Sequence, residues 1–305
     1  MKILVTGGAG YKGVVLVEEL LRLRHQVTLI DNFMYGYEPV LHLVSRKNLE
    51  IRQLDIRNIQ EKDLAPYDVI YHLAGISGVP ACAANAHSAE FINVTATRRL
   101  VKALSKGQLL VNASTTSFYG ASGKIFDENT RVEPISLYGQ TKYAAEQIVQ
   151  QRENSVSLRF ATVFGVSPRM RNDLMVNDFA HKAMTERVMV LFAGQSRRTF
   201  IHIQDAAAAY AFVLTKTKAM RGQVFNVGGE SLNHSKMEIA QAIQKHVPCE
   251  IIDSSMPTID KRNFEVSFKK IEKLGYKTKF TLDDGVRELV KLYSFYTIAS
   301  QYKVI

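Results

Sequence analysis

Short apolar runs alternate along the chain with longer stretches whose apolar positions recur every three or four residues. Residues 2–6 (Lys-Ile-Leu-Val-Thr) form the first run and predict a buried strand. Behind it Val14, Val17, Leu20 and Leu21 recur at helical spacing, with Glu18, Glu19, Arg22 and Arg24 on the other faces. That pattern predicts an amphipathic helix ending near His25. Residues 27–30, 48–54, 68–75, 108–114, 156–161 and 223–227 predict further strands. Residues 84–106, 138–153, 235–247 and 282–296 predict helices, and 199–217 a short strand followed by an alanine-rich helix. Alternation of this kind implies an α/β fold: a doubly wound parallel sheet with helices on both faces. The pattern changes after Gly165, where 166–198 becomes rich in Arg, Met and Asn and includes Ser-Pro-Arg-Met-Arg (167–171). The expected division is a first domain over 1–165, to which 199–227 returns, and a smaller lobe over 166–305.

The turn after the first strand is Thr-Gly-Gly-Ala-Gly-Tyr-Lys-Gly (6–13), with Gly7, Gly10 and Gly13 at three-residue intervals. A strand that turns sharply into a helix aims backbone N–H groups and a positive dipole end at one spot, which suits a pyrophosphate. The second strand ends at Asp31, placed to accept hydrogen bonds from an adenosine ribose and to repel the 2′-phosphate of NADP. NAD is therefore the expected cofactor. Lys12, a basic residue inside the glycine turn, keeps NADP open, because it could contact an extra phosphate.

Bulk properties narrow the choices. At 305 residues, 46% hydrophobic and 22% charged, the chain suits two lobes of ordinary globular composition. No apolar run of about 18 residues occurs, so no membrane span is expected. The first strand opens at residue 2, from which no leader segment is expected. Cys82 and Cys249 are the only cysteines and form no C-x-x-C pair, which points to a reducing cytoplasmic compartment. The eight histidines show no H-x-x-x-H spacing, and no metal is expected. The net charge of +10 is spread along the chain without a recognition motif, so nucleic acid is not the expected partner.

Candidate chemistry comes from Tyr138-Gly-Gln-Thr-Lys142, which puts a phenol and an ammonium on one helix face. A free phenol has a pKa near ~10 and is a poor base at neutral pH. A nearby ammonium stabilises the phenolate. The pair can then take a proton from a sugar hydroxyl as hydride leaves the carbon, or return it. Ser114, Thr115, Thr116 and Ser117 end the fifth strand, and one of these hydroxyls could orient the substrate oxygen while the others cap the turn.

Taken together the residues resemble the extended short-chain dehydrogenase/reductases, in particular their NAD-dependent nucleotide-sugar epimerases and dehydratases. The resemblance runs almost end to end. It rests on T-G-G-A-G-Y-K-G (6–13), Asp31-Asn32, Leu54-Asp55-Ile56, H-L-A-G (72–75), S-F-Y-G (117–120) and Y-G-Q-T-K (138–142). It continues with L-R-F-A-T-V-F-G (158–165), R-T-F-I-H (198–202) with Asp205, and F-N-V-G (225–228). It implies a Rossmann-type domain, tightly held NAD and a nucleoside-diphosphate sugar bound mainly by the C-terminal lobe. It also implies a homodimer built on the helices near 84–106 and 138–153. By the same resemblance Gly7, Gly10 and Gly13 hold the pyrophosphate, and Tyr11 and Lys12 between them count as cofactor-binding. Asp31 and Asn32 hold the adenosine ribose, Asp55 and Ile56 the adenine, and Leu73, Ala74 and Asn93 line the cofactor path. Thr115, Tyr138 and Lys142 take the catalytic places. Arg198 matches an arginine that binds the substrate diphosphate, with Asn177, Arg171 and Arg262 as further substrate contacts.

The departures carry information. The 4,6-dehydratases of the family have Asp-Glu directly after the active-site threonine, where this chain has Thr116 and Ser117. Neither hydroxyl exchanges protons at neutral pH as a carboxyl group does, which disfavours 4,6-dehydration. Related decarboxylases place Glu where Ser117 stands. Thr162 replaces an asparagine of the usual pattern, and Lys12 an apolar residue. The stretch 163–179 resembles a subgroup of sugar-nucleotide 4-epimerases and 4-dehydrogenases of surface-polysaccharide pathways. The expected activity is epimerisation at C4 through a transient 4-keto sugar. A nucleotide-sugar 4-dehydrogenase or ketoreductase uses the same three residues. A non-catalytic NAD-binding protein would need none of them.

Overall fold

Seven parallel strands form the main sheet of the computed structural model, which describes residues 1–257 and 262–298. They are β1 (Lys2–Thr6), β2 (Gln26–Asp31), β3 (Leu49–Gln53), β4 (Val69–His72), β5 (Leu109–Thr115), β7 (Ser155–Phe160) and β11 (Gln223–Val227). Their order is β11-β7-β5-β4-β1-β2-β3, so the strand order reverses between β1 and β4, and ligands of open parallel sheets bind at such a switch point. The strands read as unbroken apolar runs because both sheet faces are covered. In β1, Ile3 and Val5 face one core and Leu4 the other, and all three are fully buried.

Helix α1 (Tyr11–Arg22) lies on the first face beside α4 (Ile203–Thr215), whose run of alanines lets the two axes approach. The opposite face carries α2 (Leu137–Gln150) and a helical stretch packed beside it. That stretch differs from the single helix expected over 84–106. It runs Val79–Ala84, Ala86–Glu90, a π-helical turn at Phe91–Ala96 and Thr97–Ala103. The break is at Asn85, which leaves the helical region and accepts a hydrogen bond from Ser88 N as an N-cap.

The second lobe has its own apolar core around α3 (Met175–Thr185), α5 (Lys236–Gln244) and α6 (Leu282–Tyr293). Three small sheets frame it. β8 (Thr162–Phe164), β10 (Arg197–His202) and β12 (Asn233–Ser235) form one, β9 (Val188–Phe192) with β13 (Glu250–Ser254) a second, and β6 (Ala121–Phe126) with β14 (Asn263–Val266) a third. Of the 199–227 segment, β10 belongs to a small sheet, whereas α4 and β11 pack on the large one.

A buried charge pair fixes α2 to the main sheet. The Glu146 carboxylate accepts from Arg159 Nε and, at 2.6 Å, from Arg159 Nη2. It also accepts from Ser114 Oγ at 2.6 Å, and Arg159 Nη1 donates to Tyr119 Oη at 2.7 Å. Tyr119 Oη in turn donates to Asn226 Oδ1 on β11. Burial opposes the Arg159 charge, yet the Glu146 carboxylate outweighs it and holds the guanidinium above its ordinary value. Breaking one partner of such a pair strands the other charge in the interior. Glu146→Ala is expected to lower the free energy of unfolding by about 3–5 kcal/mol, measured by urea titration. A loss below about 1 kcal/mol would mean that the network does not hold the helix.

Candidate active site

The glycine turn comes first because the cleft is built around it. Gly7 sits at φ +68°, and a Cβ there would lie 2.7 Å from Ala74 N. A Cβ on Gly13 would strike the Gly7 carbonyl and come within 2.8 Å of Gly8 Cα. Both positions therefore require glycine, and the backbone of the turn stays bare toward the cleft. Helix α1 starts at Gly10 with no side-chain cap and no acidic residue in its first turn. Its positive end is thus left for an anion from outside.

Asp31 braces the turn from the end of β2. Its Oδ2 accepts from Ala9 N at 3.1 Å and its Oδ1 from Phe33 N at 2.9 Å. Burial pushes the Asp31 carboxyl up, while these backbone donors and the Arg169 charge pull it back. Asn32 Nδ2 reaches Asp55 Oδ2 at 3.4 Å, and Asp55 is gripped by Arg57, which holds its carboxyl below the usual range. Ile56 is buried behind them. The four residues expected at the adenosine end therefore cluster at the ends of β2 and β3.

The chemistry sits on α2. Ser136 caps the helix by accepting from Gly139 N, which puts Tyr138 in the first turn and Lys142 one turn later. Ser77 Oγ lies 3.5 Å from Tyr138 Oη. Burial pushes the Lys142 ammonium down to about 8, against the pull of the Glu146 carboxylate. Thr115, at the end of β5, accepts from Ser117 N at 3.1 Å. His72 behind them is neutral, because burial, reinforced by Lys142, pushes it down to about 3.

One cleft of about 540 Å³ joins the glycine turn to Thr115, Tyr138 and Lys142, while Asp31, Asn32, Asp55, Ile56 and Ala74 are not among the residues that line it. It is lined by Gly7, Gly10, Tyr11, Lys12, Gly13, Leu73, Thr115, Tyr138, Lys142, Arg171, Arg198 and Arg262, all expected from the sequence. Arg171 donates from Nε and Nη2 to Asp173 at 2.7 and 2.6 Å, and that carboxylate holds the guanidinium above its ordinary value against burial. Arg262 Nη1 reaches Ser117 Oγ at 3.3 Å.

Two more of the expected residues are not among those that line the cleft. Asn177 is fully buried and turned away from the cleft, because its amide is already used. Oδ1 accepts from Gly165 N, and Nδ2 donates to Arg171 O and Tyr11 Oη. Asn93 works from behind in the same way: its Oδ1 accepts from Ile76 N, and its Nδ2 donates to Ile76 O and Thr141 Oγ1. It shapes the loop that borders the cleft.

Lys12 also lies elsewhere than its sequence position suggested. Its Nζ rests 4.4 Å from the centroid of the Phe160 ring, within electrostatic reach of Lys142 and Arg171. The extra-phosphate argument for NADP therefore loses its donor at the Asp31 end. Burial, helped by Lys142 and Arg171, pushes Lys12 down to about 7. Tyr35, Ser77, Arg169, Phe192 and Lys236 line the cleft as well and were not singled out from the sequence. Only Arg169 had a signal, the Arg-Met-Arg cluster.

The comparisons with known proteins agree with this geometry. Residues 3–228 match the family model described as the NAD dependent epimerase/dehydratase family. The chain belongs to that family. It is an enzyme of the extended short-chain dehydrogenase/reductase type with NAD as its cofactor. The chain is 37% identical over 246 residues to an uncharacterized UDP-glucose epimerase of Bacillus subtilis, covering 75% of this chain and 77% of the relative. It is 26% identical to a UDP-N-acetyl-alpha-D-glucosaminuronate decarboxylase of Bacillus cytotoxicus, covering 94% and 96%. Among solved structures, UDP-glucuronic acid 4-epimerase of Bacillus cereus, in complex with UDP-glucuronic acid and NAD, superposes with a TM-score of 0.83. That match is 27% identical and covers 96% of this chain and 99% of the other. Bare glycine backbone, an uncapped helix start and the Asp31 carboxylate fit a dinucleotide in this cleft.

The low value of Lys12 has a consequence for stability. An unfolded lysine titrates near 10.5, so between about pH 7 and 10.5 the unfolded chain holds more protons at this position. Burying the charge therefore costs most at and below pH 7, and the cost fades as pH rises toward 10.5. Lys12→Met is expected to stabilise the cofactor-free protein at pH 6.5, with more than half of that gain gone at pH 9.5. Denaturant titrations of both proteins at the two pH values measure it.

Proposed function

We propose that this protein is an NAD-dependent nucleotide-sugar epimerase acting at C4 of a nucleoside-diphosphate sugar. The observation that carries the reading is the make-up of the reacting end. Thr115, Tyr138 and Lys142 share one cleft, and the two positions after Thr115 are the hydroxyl residues Thr116 and Ser117. Such a set suits reversible oxidation of an alcohol and supplies no carboxyl group there for elimination or decarboxylation.

In this reading Tyr138 takes the proton of the 4-hydroxyl and later returns it. Lys142, charged at neutral pH, stabilises the phenolate. Thr115 holds the sugar oxygen in line with Tyr138. NAD, when bound, supplies the hydride reservoir that lets C4 become a ketone and be reduced again on either face. Gly7, Gly10 and Gly13 would hold its pyrophosphate, Asp31 and Asn32 its adenosine ribose, and Asp55 and Ile56 its adenine. In the second lobe Arg198, Arg262 and Arg171 would bind the sugar nucleotide. UDP-glucose and UDP-glucuronate are the first substrates to supply, since the B. subtilis and B. cereus proteins carry those names. We further propose a cytoplasmic homodimer, paired through α2 and the helical stretch beside it, which sedimentation would reveal as a doubled mass. Among the described residues no helix is long and apolar enough to cross a membrane.

Incubation with either UDP-sugar is expected to yield the 4-epimer by NMR with no net absorbance change near 340 nm. Net accumulation of NADH would make the protein a 4-dehydrogenase instead. Tyr138→Phe is expected to lower turnover by about 100-fold or more while NAD and UDP binding persist. Undiminished turnover in that variant would remove Tyr138 from the chemistry.

A further inference from the structure

Arg169 belongs to the second lobe but ends inside the cofactor half of the cleft. Ser167 Oγ donates to Tyr11 O at 2.8 Å, which draws the 167–171 segment across the glycine turn. From there Arg169 lays its guanidinium 4.0 Å from the centroid of the Tyr35 ring. Tyr35 follows Asp31 by four residues and lines the same cleft. The Arg169 side chain is 2% exposed, yet among the described residues its Nε and Nη2 have no hydrogen-bond partner. Only Nη1 donates, to Met170 O at 3.2 Å. Asp31, Asp173 and Arg171 are the charged groups within electrostatic reach, and Arg171 repels it.

A buried guanidinium with two idle donors is an expensive arrangement unless an anion completes it. The neighbouring surface calls for the same ligand: bare glycine backbone and the uncapped start of α1. Aspartate is already present nearby, but its carboxylate is committed to Ala9 N and Phe33 N.

We propose that Arg169 is an anion-binding residue that the substrate lobe contributes to the diphosphate of the dinucleotide, closing the cleft over it against Tyr35. The inference rests on the cofactor assigned above. It makes the dinucleotide part of the contact between the lobes. Arg171, two residues on, is ordered by the same segment, so loading the cofactor preorganises the substrate side.

Isothermal titration of cofactor-depleted protein with ADP, NAD, NADP and adenosine tests it. Arg169→Met is expected to weaken ADP and NAD about 10- to 100-fold and leave adenosine unchanged. Arg169→Lys is expected to recover part of the loss. The ADP affinity of the unmodified protein should fall more steeply with salt than that of Arg169→Met. Equal affinities in both proteins would overturn the proposal, as would a parallel loss of adenosine, which would mark a packing role. A loss confined to NADP would move the contact to a 2′-phosphate and overturn it too. Should Arg169→Met fail to fold, Arg169→Lys decides alone: a partial loss of ADP affinity with adenosine unchanged would count for the proposal, and an unchanged ADP affinity or a loss shared by adenosine against it. An unmodified protein that binds neither ADP nor NAD would defeat the cofactor assignment itself, which is a separate result.

Discussion

The Glu146 carboxylate is the interaction on which the site depends. It ties α2 to β5 and β7 through Ser114 and Arg159. Thr115 follows Ser114 directly, and Lys142 lies one helical turn before Glu146, so a single charge sets the spacing of the reacting groups. It acts electrostatically as well. Without its pull, burial would drive Lys142 below the value of about 8 at which it still carries charge at neutral pH. Packing and catalysis are therefore coupled at one side chain. A replacement that filled the same volume without charge could restore the fold and still lose the ammonium that Tyr138 needs.

Tyr11 provides the second constraint. It stands in the glycine turn, yet its hydroxyl donates to Gly165 O and its carbonyl accepts from Ser167 Oγ. Asn177, on α3, closes the arrangement by holding Gly165 N, Arg171 O and Tyr11 Oη. The glycine turn is thus bolted to the 165–171 segment, which carries Arg169 and Arg171. That explains why the Asn177 amide is buried and spent. A side-chain amide that joins two backbone groups and the Tyr11 hydroxyl at a lobe junction has no donor left for a sugar nucleotide.

The large sheet was legible because its strands are buried on both faces and read as apolar runs, and because the glycine turn and Tyr138–Lys142 keep their chemistry in a short span. Periodicity found α1, α2, α5 and α6 for the same reason. The second lobe was not legible to that degree. Its small sheets pair strands far apart in sequence, such as β6 with β14 and β9 with β13, and a short isolated strand leaves little pattern. Asn85 and the π-helical turn at Phe91–Ala96 divided a helix that periodicity made continuous. Among site residues, what the motifs left open is the surroundings of Asn93, Asn177 and Lys12. Which way a side chain points is decided by partners from other parts of the chain: Ile76, Gly165 and Phe160.

The charge of the cleft gives the net +10 a local meaning. Lys12, Lys142, Arg169, Arg171, Arg198, Arg262 and Lys236 all line it. Asp173 and Asp178 are the acidic side chains on the same wall, and each is engaged by a neighbouring cation. A dinucleotide and a sugar nucleotide would each bring a diphosphate, so the excess matches the ligands rather than a polyanion outside. Burial lowers the affinity of the two lysines at the centre of the cleft for their protons, and at Lys12 the Lys142 and Arg171 charges add to it. Anion binding reverses the sign. As phosphate charge enters, the ammonium forms regain their favour, and ligand binding near neutral pH draws protons onto Lys12 and Lys142. Both lysines would then be most firmly charged when anions fill the cleft.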